Sequence, residues 1–286
     1  MILPLLALLA FSSPAAPQAG TSRTTLVTVA DARNQPIVDV GPDDVVIREG
    51  PAPPGKSATR EILSVHSADY PVIVLIDNGS AARDDFSQIR KAVGRFIDRL
   101  GRRPVAIGTL GDPPALLTSF DDEPEQAAQR LDALTVTSSD SVLLRAVAMA
   151  AQKLRETGSI FSAIVVVSAS GSDRTASKPE ELIGPIVDSG AIIHVVANRP
   201  PATVPSESPS EPAQMLRIVV QQTLGQLTVI YAAASYQAAL DRLADRMSSE
   251  LMIEYLVPPG SKASDVKVGV RIPGARVRGL GVRPRD

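Results

Sequence analysis

Apolar positions fall into two repeating patterns along the chain, and their alternation predicts the architecture. Val72 to Ile76 is an unbroken apolar run, bounded by Pro71 and closed by Asp77 and Gly79. Such a run reads as a strand buried on both faces, the central strand of a mostly parallel sheet. Ala163–Val167 and Ala191–Val196 repeat its character, and Pro104–Leu110 supplies another strand. Between them Phe86, Ile89, Val93, Phe96, Ile97 and Leu100 recur at spacings of three and four, predicting an amphipathic helix over 83–100 that Gly101 ends. Further helices are expected at 124–134, at 142–157 with Ser139 or Asp140 as cap, at 179–189, at 213–224 and at 236–250, with a short last strand at 227–230. Strand and helix alternating in this way predict an α/β fold with a doubly wound, mostly parallel, Rossmann-like sheet.

The flanks read differently. Thr25–Ala30, Ile37–Val40 and Val45–Ile47 read as short strands separated by turn residues, and Ile62–Val65 continues them beyond the proline-rich 50–55. At the other end Leu251–Val257 and Val266–Ile272 alternate apolar with polar residues, as antiparallel strands do. The terminal strands are expected to pair into one small accessory β module beside the α/β domain. Asn198–Pro212 reads as an exposed, mobile loop.

This gives four expected regions: 1–19 as signal peptide, 20–69 as N-terminal β module, 70–250 as α/β domain, and 251–286 as C-terminal strands with a basic tail. Met1–Phe11 is a short apolar core followed by Ser-, Pro- and Ala-rich sequence, which fits an export signal cleaved between Ala15 and Ala19. A buried terminal strand or helix is the plainer alternative. No other segment reaches the apolar length of a membrane helix. The expected location is periplasmic or extracellular.

Composition narrows the function. The 286 residues carry no Cys, which removes disulfides, thiolate zinc sites and cysteine nucleophiles. A net charge of −2 gives no electrostatic case for nucleic acid. Seven Lys or Arg stand against Asp265 and Asp286 beyond Pro258, which reads as a solvated strand face or as a docking patch for an acidic partner. His66 and His194 are the only histidines, and His194 lies inside an apolar strand. No Gly-x-Ser-x-Gly elbow and no phosphate loop is present, so no nucleophile, base and orienting group assemble into an enzyme site.

Asp77 ends its strand where open α/β sheets place their ligand crevice. Strand, Asp, small hydroxyl-bearing turn and helix resemble the opening of a von Willebrand factor A domain, whose ion site begins Asp-x-Ser-x-Ser. Here the stretch reads Asp77-Asn78-Gly79-Ser80-Ala81, keeping the Asp but placing Gly and Ala where that family has serines. The order Asp31, Pro36-Ile37, Val40, Asp44-Val45, Glu49-Gly50, together with the closing Met252–Pro258, Lys267–Arg271 and Arg276–Arg278, resembles the secreted bacterial family called VWFA-related, abundant in acidobacteria.

The resemblance implies an exported, non-enzymatic protein-interaction or adhesion module. It puts Ser141 at the family's Thr position and Ser170 at its last Asp, so Asp77, Ser80, Ser141 and Ser170 are the positions of a degenerate metal ion-dependent adhesion site. One carboxylate with hydroxyl helpers is a weak set for a hard cation. No bound metal or other cofactor is therefore expected, with Asp77 capping local backbone N–H groups. A Mg²⁺ or Mn²⁺ site completed by Asp140 or Asp173 is the alternative, and a structural domain of a larger envelope assembly is a third. The partner is an unknown protein.

Overall fold

The computed structural model describes residues 20–49, 59–170, 173–175, 179–198, 211–258 and 266–284. The stretch read as an export signal, the proline-rich 50–55 and positions 199–210 of the stretch read as a mobile loop lie outside them.

The α/β domain is built on five parallel strands. They are β4 (Val72–Ile76), β5 (Val105–Thr109), β6 (Ala163–Ser168), β7 (Ile192–Asn198) and β8 (Gln226–Ile230), in the order β5-β4-β6-β7-β8. β4 is interior as its apolar run predicts, although β6 takes the middle place. The chain steps from β4 to one side for β5 and returns past it for β6, so the two strands flank a topological switch point.

Both sheet faces are buried because each strand alternates between two cores. Val72, Val74 and Ile76 face α1 (Phe86–Leu100) and α6 (Ser235–Ser248), while Ile73 and Leu75 face α3 (Leu143–Glu156). The short α2 (Pro124–Ala133) packs Leu131 onto the first core; α4 (Pro179–Asp188) and α5 (Glu211–Gln222) complete the second. With aromatics at 3% of the chain, both cores are filled mainly by Val, Ile, Leu and Ala.

The flanking strands form the accessory module. β1 (Thr21–Ala30) lies between β11 (Arg276–Pro284) and β9 (Glu250–Val257), and β9 pairs on to β3 (Ile62–Ser67), all antiparallel. β2 (Val45–Arg48) and β10 (Lys267–Val270) make a separate pair that packs on this sheet through Val45, Ile47, Val27, Val29, Ile253 and Tyr255. Leu26 and Leu280, on the opposite face, join the core beneath α1 and α6. The sheet is thus covered on one side by the β2–β10 pair and on the other by the α/β domain.

Three local expectations change. Residues 37–40 are not a strand; Pro36 makes one isolated bridge to Ala30, and the turn is closed by Asp31 accepting from the Arg33 and Gln35 amides. The helix expected from 83 begins at Phe86, because Ser80–Ala82 forms a 3₁₀ turn first. Neither Ser139 nor Asp140 caps α3; the Leu144 amide donates to Asp173, from the loop after β6.

The two layers meet over a buried polar cluster. Tyr70 donates to Glu250, and Arg103 stacks over the Tyr70 ring at 4.4 Å, pairs with Glu250 and donates to the Met247 carbonyl. Burial first, and then the charge of Glu250, pushes the Tyr70 phenol well up. Burial also raises Glu250, although the Tyr70 hydrogen bond and the Arg103 charge act against it.

Candidate functional site

Asp77 lies at the carboxyl end of β4, at the switch point, with no exposed surface. A buried carboxylate must be paired or hydrogen-bonded, and this one is bonded on both oxygens. Oδ1 accepts from Ser141 Oγ at 2.5 Å and from the Gly79 amide at 3.2 Å. Oδ2 accepts from the Ala169 amide at 2.9 Å and from Ser168 Oγ at 3.1 Å. The Asp77 amide continues the sheet by donating to Val167. Asp77 therefore caps two turns, its own and the one after β6, with hydroxyl donors as well as backbone amides.

Gly79 makes this closure possible. A Cβ at position 79 would lie 2.4 Å from Ser141 Oγ and 3.1 Å from the Ser139 carbonyl. The side chain that an Asp-x-Ser-x-Ser turn carries there has no room, because Ser141 Oγ occupies that space against Asp77. The departure from the motif and the Ser141–Asp77 bond are one feature.

The surrounding loops are knit together. Asn78 is buried; its Oδ1 accepts from Gly111, and its carbonyl accepts from the Thr137 amide and hydroxyl. The Ser80 amide donates to Ser139, the Asp112 amide to Asp140, and the Arg174 amide to Ser141. Tyr236, at the start of α6, donates to the Ser168 carbonyl at 2.9 Å. Burial first, then the charges of Asp85 and Asp77, pushes its phenol up, so it stays a donor.

Of the four residues read from sequence, Asp77 and Ser141 are hydrogen-bonded to one another. Ser80 is half-buried on the 3₁₀ turn and meets the cluster through its backbone; Ser170 is half-buried beyond Ala169. Sequence reasoning missed Ser168, whose hydroxyl and following amide hold Oδ2. The signal was available, since Ser168 aligns with Asp77 as the first polar residue after the neighbouring apolar strand.

The donor set does not fit a hard cation. Magnesium and manganese sites need several oxygens with free lone pairs, whereas each Asp77 oxygen already accepts two hydrogen bonds. Asp140 is exposed, and Asp173 is engaged by Leu144 and by the Thr175 amide and hydroxyl. Among the described residues no group of three or more His, Cys, Asp or Glu could hold a metal ion. No described helix is long and apolar enough to cross a membrane.

No protein-family model matches the chain, and no curated protein matches it in sequence. Solved structures do. A von Willebrand factor type A protein from Catenulispora acidiphila aligns at TM-score 0.53 and 12% identity, over 93% of this chain and 74% of that one. Proximal thread matrix protein 1 from the mussel byssus aligns at 0.51 and 8% identity over 74% and 49%, and its form with a zinc-occupied adhesion motif at 0.50 and 9% over 67% and 48%. The fold is that of a von Willebrand factor A domain.

Proposed function

We propose that this chain is an exported, non-enzymatic protein-interaction module of the von Willebrand A type. Its binding surface is the carboxyl edge formed by the loops after Asp77, Ser139 and Ser168, and it binds without a metal ion. The observation carrying this reading is the saturated Asp77 carboxylate, held by Gly79, Ser141, Ser168 and Ala169 where an adhesion ion would need its oxygens. The same bonds pre-organise three loops, which lowers the ordering entropy lost when a partner docks.

The test is crosslinked capture from envelope extracts in EDTA and in Mg²⁺, with the wild type and with Ser80→Arg, a half-buried position on that edge. One partner should be held equally in both buffers and lost by Ser80→Arg. Retention by the variant would move the surface elsewhere. Capture only in Mg²⁺ would instead support the metal-dependent alternative.

A further inference from the structure

At the far end of α6 from Asp77, an open cavity of about 880 Å³ lies between that helix and the β1–β11 side of the accessory sheet. Three arginines line it: Arg242 and Arg246 from the second half of α6, and Arg278 from β11. Its one acid, Asp245, is already paired with Arg99. Among the described residues neither Arg242 nor Arg278 has a carboxylate at ion-pair distance.

Arg246 is the telling member. Its Nη1 donates to Gln226 Oε1 at 2.6 Å, while its Nη2 is buried with no hydrogen-bond partner. Burial and the charge of Arg278 both act against its protonated form; Glu250, committed to Tyr70 and Arg103, acts weakly the other way. A cation in the last turn of a helix is favoured by the helix dipole. That accounts for Arg246 being there, but not for its unpartnered nitrogen or for the second and third arginine. Like charges gathered around an unpaired guanidinium donor are costly in isolation and are relieved by an anion that bridges them.

We propose that Arg242, Arg246 and Arg278 form a binding site for a doubly charged oxyanion, a phosphoryl group or a pair of carboxylates, at the seam between α6 and the accessory sheet. Asn34 and Gln35, also lining the cavity, carry neutral side-chain carboxamide donors. This site is independent of the Asp77 edge and of the function proposed for it.

Inorganic phosphate and malonate, each titrated calorimetrically at constant ionic strength against a sodium chloride background, test the proposal. At least one is expected to bind saturably at one site. Arg278→Gln, at an exposed position, should raise its Kd at least tenfold without changing the melting temperature in chloride; Arg242→Gln should give the same direction independently. Tighter phosphate identifies a phosphoryl ligand, and tighter malonate an acidic side-chain or dicarboxylate ligand. Saturable binding of neither, or equal binding by both variants and wild type, would overturn the site.

Discussion

Ser141 Oγ and Asp77 Oδ1, 64 residues apart in sequence, lie 2.5 Å from one another with both side chains buried. The bond ties the loop before α3 to the end of β4 at the switch point of the sheet. It stands where the A-domain motif would direct its oxygens toward a cation.

Ser141→Ala should therefore destabilise the fold. Asp77 would keep three donors, but one buried acceptor position would lose its partner, which costs about 1–3 kcal/mol. Urea denaturation measures it as a lower midpoint at unchanged slope. An unchanged midpoint would show that the bond contributes nothing.

Gly79→Ser introduces the serine that an Asp-x-Ser-x-Ser turn carries at this place, yet it should destabilise too. The new Cβ would fall 2.4 Å from Ser141 Oγ, so Ser141 must swing away and release Asp77. Overpacking of this kind costs about 1–3 kcal/mol. A variant as stable as wild type would mean that the loop has slack the geometry does not suggest.

The fold was largely legible in the sequence, whereas the site was legible at two residues, Asp77 by its place and Ser141 through the family resemblance. Runs such as Val72–Ile76 and Ala163–Val167 announce doubly buried strands, because burial on both faces removes polar positions altogether. Pairing of the terminal strands followed from alternation in Leu251–Val257. Residues 37–40 misled, since the apolar Ile37 and Val38 follow the turn that Asp31 closes without extending its pairing into a strand. Asp77 stood out by its place at a strand end. Ser141 was named only through the family resemblance and Ser168 not at all, because serines are common residue types whose roles here come from long-range contacts. The α3 cap shows the same thing: Ser139 and Asp140 are adjacent in sequence, but Asp173 arrives from another loop.

His194 should make stability fall in acid. It is buried in β7 with neither ring nitrogen hydrogen-bonded, and burial, then the charges of Arg246 and Arg278, lowers its pKa from 6.5 to about 3. The unfolded chain takes up this proton below about pH 6.5 while the folded one refuses it until about pH 3. Stability is therefore fully present above pH 6.5 and is lost as pH falls through that window, at up to about 1.4 kcal/mol per pH unit. His194→Leu should flatten that slope in denaturation curves taken from pH 7 to 4. An identical slope in the variant would assign the acid sensitivity to other groups.

The central claim, that Asp77 has exchanged an ion for four protein donors, is tested most directly by thermal unfolding of residues 20–286 in EDTA and in millimolar Mg²⁺ or Mn²⁺. A ligand that binds only the folded state stabilises it by about 2.7 kcal/mol at a hundred times its Kd. The melting temperature should be the same in all three buffers. A saturable rise with metal that disappears in Asp77→Ala would contradict the claim and restore the adhesion ion to this site.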